Sequence, residues 1–161
     1  MQSKFFVAAA IGTATFAAAL AFQYIGGLHP CQLCISQRWA LGVGIAGALL
    51  AGFSKGTSRL LFGIVGLGGF VAEIGLAFYH TGVERHWWLG PQSCSGGGEL
   101  PTSFNAGAVI ESASGRAPAA CNEIPWDLFG LSMANYNVAI AGLMAALCVI
   151  CLLYTSDAAD E

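Results

Sequence analysis

Apolar positions along this chain come in long, nearly unbroken runs. Residues 5–25 are interrupted only by Thr13, Thr15 and Gln23, close to the ~20 apolar residues that cross a bilayer as a helix. A second run covers 39–53 and reaches back to Ile35 if Arg38 extends its stem to the membrane interface. A third covers 60–79, and a fourth follows Met133 as far as Ile150. Between the first two, Gly26 and Gly27 end a helix and Pro30 delays its restart. The six-residue polar link 54–59 can only join neighbouring antiparallel helices. From 80 to 132 the chain turns polar and irregular, broken by Gly90-Pro91 and by Gly96, Gly97 and Gly98. The pattern predicts an all-α membrane protein, a four-transmembrane-helix bundle with spans at about 5–25, 35–53, 60–79 and 133–150. Two cysteine-bearing extracytoplasmic loops, 26–34 and 80–132, connect them on one side. No internal repeat is visible. Within the second loop, 105–114 is expected to form a short amphipathic helix and 126–131 to lie flat on the membrane surface, with Trp87 and Trp88 at the interface.

Composition strengthens this picture. Of 161 residues, 56% are hydrophobic and 9% charged, against roughly 25% charged in an ordinary soluble domain. Charges this sparse exclude a nucleic-acid-binding surface. Lys4, Lys55 and Arg59 fall on one side of a four-span topology, which the positive-inside rule makes cytoplasmic. Both termini are then expected inside and both cysteine loops outside. The first run exceeds the 7–15 residues of a secretory h-region, so it is expected to stay as a span. Residues 151–161 resemble the translation of a transposon-type sequencing adapter. One domain at 1–150 followed by a non-native tail is therefore expected, and removing the tail's Asp157, Asp160 and Glu161 would cancel the formal net charge of -3.

The candidate chemistry lies at Cys31-Gln32-Leu33-Cys34, a CxxC pair followed by Arg38. Such a pair can close a small disulfide ring, bind a metal, or exchange electrons with another thiol pair. Cys94 and Cys121 fall in the other outward loop, where disulfides persist. Two static staples are one reading. A bridge over two residues constrains the unfolded chain little, however, which favours redox exchange. Metal binding would draw on His29, Cys31 and Cys34, but a structural zinc site wants four ligands and no second half is present; no metal is expected.

Arg38 stands four residues after Cys34, on the same face of a helix that starts near that cysteine. Helix N-terminus and guanidinium would then both favour a thiolate at Cys34, and the arginine could polarise a carbonyl oxygen of an acceptor arriving from the lipid. Taken alone, Arg38 reads as an interfacial anchor. Glu73 and His80 are seven residues apart and share a face of the third span. A carboxyl in the bilayer must be protonated, paired or functional. His80, at the outer edge, could donate a proton to a reduced acceptor. Cys148 reads as a small buried hydrophobe, and Cys151 should carry no function.

Pro30-Cys31-x-x-Cys34-x-x-x-Arg38, Tyr79-His80-Thr81, the Cys94…Cys121 pair and the stretch from Cys121 through Pro125-Trp126-Asp127-Leu128-Phe129-Gly130-Leu131-Ser132-Met133 together resemble the disulfide bond formation protein B (DsbB) family of bacterial inner-membrane thiol oxidases. The resemblance implies that a periplasmic, DsbA-like thioredoxin-fold protein attacks Cys94. Electrons then pass to Cys31 and Cys34, and from Cys34 to a quinone (ubiquinone or menaquinone) held near Arg38 and His80. Two alternatives stand beside it: a disulfide-stapled membrane scaffold without turnover, and a quinone reductase like vitamin-K epoxide reductase, whose CxxC would be expected inside a later helix.

Overall fold

The structure, a computed structural model, describes residues 2–91 and 120–157. Four helices, α1 (Gln2–Tyr24), α2 (Gln32–Phe53), α3 (Gly56–Glu84) and α4 (Met133–Asp157), make up most of it, and each is long and apolar enough to cross a membrane. Four spans are expected and four such helices are present among the described residues; one helix boundary bears on the site. α3 continues beyond residue 79 to Glu84, so His80 lies inside the helix and the loop that follows begins at Arg85.

The bundle is held by small residues. Gly44 and Gly47 of α2 face Gly66 and Gly69 of α3, and a Cβ on Gly47 would overlap the Gly66 backbone. Without a hydrophobic driving force between helices in lipid, such close backbone approach is how spans gain contact. Phe5, Phe70, Met144 and Cys148 fill the interior, while Val7, Phe53, Leu61, Ile64 and Leu153 point outward, as a lipid-facing surface requires. Glu73 is buried among these helices, with Oε2 unpartnered. Lys4 lies over the ring of Tyr154 at 5.6 Å, so the start of α1 meets the end of α4.

The segment expected to lie flat forms an antiparallel two-strand hairpin, β1 (Asp127–Leu128) and β2 (Leu131–Ser132). Its tip, Phe129 and Gly130, has positive φ at both residues (54° and 75°), the type I′ geometry that suits a twisted hairpin. The Tyr136 hydroxyl donates to the Leu128 carbonyl at 3.0 Å, and Trp126 packs on Phe22 with centroids 5.3 Å apart. The hairpin thereby lies against α4 at the end of the bundle where α2 begins, with Trp126 beside it on α1. The helix expected over 105–114, and Cys94, lie outside the described residues.

Candidate active site

Pro30 keeps α2 from starting early, so Cys31 becomes its N-cap. Cys31 has extended backbone (φ -78°, ψ 172°) and its Sγ accepts the Cys34 backbone N–H at 3.3 Å. The two sulfurs are 3.1 Å apart in hydrogen-bond contact, and His80 Nε2 of α3 is 3.5 Å from Cys31 Sγ. The Cys34 N–H, the His80 ring and the helix dipole all converge on Cys31, so negative charge is favoured on that sulfur and Cys34 is the thiol that donates to it. The Cys34 side-chain hydrogen bond is the largest influence; with His80 it outweighs burial and pulls the Cys31 thiol down to about 4. The expected thiolate at Cys34 is thus replaced by one at Cys31.

Arg38 follows Cys34 on α2, but its guanidinium turns to α1: Nη1 donates to Gln23 Oε1 and Nη2 to the Ala19 carbonyl at 3.1 Å. It ties two helices together beside the thiols. His80, one turn before the end of α3, is buried, 5% exposed. Its surroundings include residues not singled out from sequence. Asn137 Nδ2 donates to Gln37 Oε1 (2.9 Å), which leaves the Gln37 amide N–H to donate to His80 Nδ1 (2.9 Å). His80 Nε2 is therefore the protonated nitrogen of the neutral ring. It faces Glu84 Oε1 at 3.7 Å as well as Cys31. Ser132 of β2 donates to Glu84 Oε2, and Asn135 donates to Ser132 at 2.8 Å. Polar residues at these depths in apolar helices were the available signal, as was the i, i+4 spacing of His80 and Glu84.

Ligand atoms of Cys31, Cys34 and His80 lie within 4.8 Å of one another, a set different from the one sequence suggested, since His29 is not in it. The sulfurs, at 3.1 Å, are closer than the ~3.8 Å that two thiolates would hold around a tetrahedral zinc with ~2.3 Å bonds. The arrangement suits sulfur–sulfur chemistry instead, where a bond of ~2.05 Å must form. Cys121 is fully buried and disulfide-bonded, and it packs with Cys31, Leu33 and Val83 in one apolar cluster that Cys34 and Tyr79 border. The second loop thus brings a disulfide sulfur to the CxxC end of the bundle.

Two adjoining cavities run from this site toward the lipid. A smaller one of about 80 Å³ has Cys34, Gln37, Arg38 and His80 in a lining that is otherwise largely apolar, with His29 and Pro30 also along it. It shares Ala19, Phe22, Met133 and Asn137 with an apolar one of about 480 Å³ between α1 and α4.

The family model described as Disulfide bond formation protein DsbB matches residues 2–151. Disulfide bond formation protein B of Actinobacillus pleuropneumoniae is 29% identical over 160 residues, covering 94% of this chain and 86% of its own length. The protein of that name from Dechloromonas aromatica is 33% identical over 144 residues (80% and 79%), and that of Shewanella sp. strain MR-4 is 34% identical over 134 residues (81% and 75%). With four membrane-crossing helices and a CxxC at the head of the second, the chain belongs to the DsbB family, multi-pass membrane proteins with an oxidoreductase role in disulfide bond formation.

Proposed function

We propose that this chain is a protein-dithiol:quinone oxidoreductase, which reoxidises a DsbA-like thioredoxin-fold protein and delivers the electrons to a membrane quinone, ubiquinone or menaquinone. The observation that carries this reading is the pair of adjoining cavities, one that reaches the polar side chains of Cys34, Gln37, Arg38 and His80 and a larger apolar one between α1 and α4. A quinone has the matching shape, a ring with two carbonyls on an apolar tail. Arg38 and the second N–H groups of the Gln37 and Asn137 amides are the donors that would hold the ring, with His80 beside them at the thiols, and Phe22, Met133 and Ile140 the surface that would hold the tail. When bound, it supplies a sink for two electrons and two protons. Thermodynamics asks for such a sink, because a DsbA-type protein is a strong oxidant at about -120 mV and ordinary dithiols lie well below it.

The thiol steps balance. The partner's thiolate attacks Cys94, breaking a Cys94–Cys121 bond and leaving Cys121 as thiolate; the partner's second thiolate then attacks the mixed disulfide, forming the partner's own disulfide and expelling Cys94 as thiolate. The Cys94 and Cys121 thiols in turn open the Cys31–Cys34 disulfide, a transfer the shared packing of Cys121 and Cys31 favours. On re-oxidation the Cys31 and Cys34 sulfurs re-form their bond, and the two electrons and two protons they give up would pass to the quinone. The three basic residues at the other end, Lys4, Lys55 and Arg59, support a bacterial inner-membrane location with both termini cytoplasmic and the cysteine loops periplasmic.

A photoreactive quinone analogue tests the site. Crosslinks are expected on α1 and α4, at or near Phe22 and Met133, and competed away by unlabelled quinone. Labelling confined to the lipid-facing sides of α2 and α3 would contradict the proposal.

A further inference from the structure

In most cysteine–histidine pairs, a carboxylate steadies the imidazole from the nitrogen opposite the thiol. Here the geometry differs. The Gln37 amide occupies His80 Nδ1 at 2.9 Å, and the thiol and the carboxyl lie on the same nitrogen, with Cys31 Sγ at 3.5 Å and Glu84 Oε1 at 3.7 Å from Nε2. One N–H faces two acceptors, so Cys31 and Glu84 compete for it. When Cys31 carries a thiolate, that N–H belongs to the sulfur, and a second negative charge on Glu84, buried at 6% exposure, would be left without it. The other groups facing Glu84 among the described residues are the Ser132 hydroxyl from β2, with Asn135 behind it, and Arg85 on its own helix. Arg85 is turned to the Gly130 carbonyl at 3.4 Å.

We infer that Glu84 is a positioning residue that holds, through His80, the proton given up by Cys31, so that the reduced site stores a thiolate on Cys31 and a proton on Glu84. The inference deepens the proposed function and rests on it for its purpose, because an acceptor of two electrons also takes two protons. When the disulfide is reduced, the Cys31–Cys34 bond breaks with uptake of two electrons; Cys34 takes one proton, Cys31 remains a thiolate, and Glu84 takes the second. On oxidation the bond re-forms, and both protons leave with the electron pair. Without such a holder, a thiolate at Cys31 leaves the pair one proton short.

The proton count is measurable without any quinone. The purified full chain, with Cys94 and Cys121 both replaced by serine, is equilibrated with a small-molecule dithiol/disulfide buffer between about pH 6 and 8, and the redox constant of the Cys31–Cys34 pair is followed against a pH-independent reference, after allowing for the two protons that the buffer's own dithiol takes up on reduction. With Glu84 present, the constant should change by about a hundredfold per pH unit, the slope of two protons, equivalent to ~59 mV for a two-electron couple. In Glu84→Gln it should change by about tenfold, ~30 mV. Ser132→Ala keeps the carboxyl and should keep the two-proton slope, whereas a merely structural hairpin contact would make it behave like Glu84→Gln. A one-proton slope in the chain carrying Glu84 overturns the inference even if Glu84→Gln does not fold, and so does a two-proton slope in Glu84→Gln. Failure of the quinone proposal would leave these slopes unchanged, so the two can fail separately.

Discussion

Cys31 and Cys34 differ only in their place relative to one helix start, yet that place assigns them separate roles. Cys31, as N-cap, accepts hydrogen bonds; Cys34, one turn in, faces the smaller cavity. The pH behaviour of the reduced protein should follow. The Cys31 pKa lies below its ordinary value of 9.0, so its contribution to the stability of the reduced fold is complete above about pH 9. It is lost progressively as pH falls toward and through about 4. The ultraviolet thiolate absorbance that disappears in Cys31→Ser should stay flat from about pH 8 to 5 and fall only on approach to 4. A midpoint near 8 or 9 would show that the N-cap does not tune this sulfur. Arg38, whose charge sits beside Cys34 while its hydrogen bonds reach α1, has two separable roles. Arg38→Gln should slow quinone reduction by about one to three orders of magnitude, the scale of losing one electrostatic donor. Arg38→Lys should recover only part of this, lacking the planar fork. A normal rate for Arg38→Gln at all quinone concentrations would reduce Arg38 to an anchor of α1.

The elements divide into those legible from sequence and those that were not. Four spans followed from run length alone, because a bilayer demands ~20 apolar residues whatever else the chain does. The end of α3 did not, since Thr81, Gly82 and Glu84 read as loop, and only burial against Ser132 and the Cys31 turn lets the helix continue. The hairpin was hidden for a different reason. Its tip is Phe129-Gly130 rather than an asparagine–glycine pair, and Phe129, 91% exposed with positive φ, bears a conformation glycine or asparagine would adopt more readily. Helix packing also carries the site's geometry. α2 holds the thiols and α3 holds His80, so their separation is set by the glycine contacts between them. Gly47→Leu should force the helices apart, destabilising the protein by about 1–3 kcal/mol and weakening the His80 influence on Cys31. Unfolding in detergent, read together with thiolate absorbance, checks both; unchanged stability would mean the contact is not close.

At the scale of the whole molecule, chemistry collects at one end of the bundle. Cys31, Cys34, His80, Glu84, Ser132 and the buried Cys121 gather where α2 begins, α3 ends and the hairpin meets α4. The remaining length of the helices is apolar support. The sequence motifs located the cysteines, Arg38 and His80, because CxxC spacing and a lone polar residue in a span are local signals. The polar network behind them was not legible, since Gln37 and Asn137 are 100 residues apart and their contact exists only after the bundle packs. The central claim is that electrons leave the thiols at the Cys34 end for a quinone. It is tested most directly by anaerobic titration of fully reduced, purified protein with quinone, counting free thiols and quinol together. Two thiols should be lost for each quinone reduced, and Cys34→Ser should abolish the reaction while the chain still folds. Thiols that persist in excess quinone, or a Cys34→Ser protein that reduces quinone as fast as the unaltered chain, would contradict it.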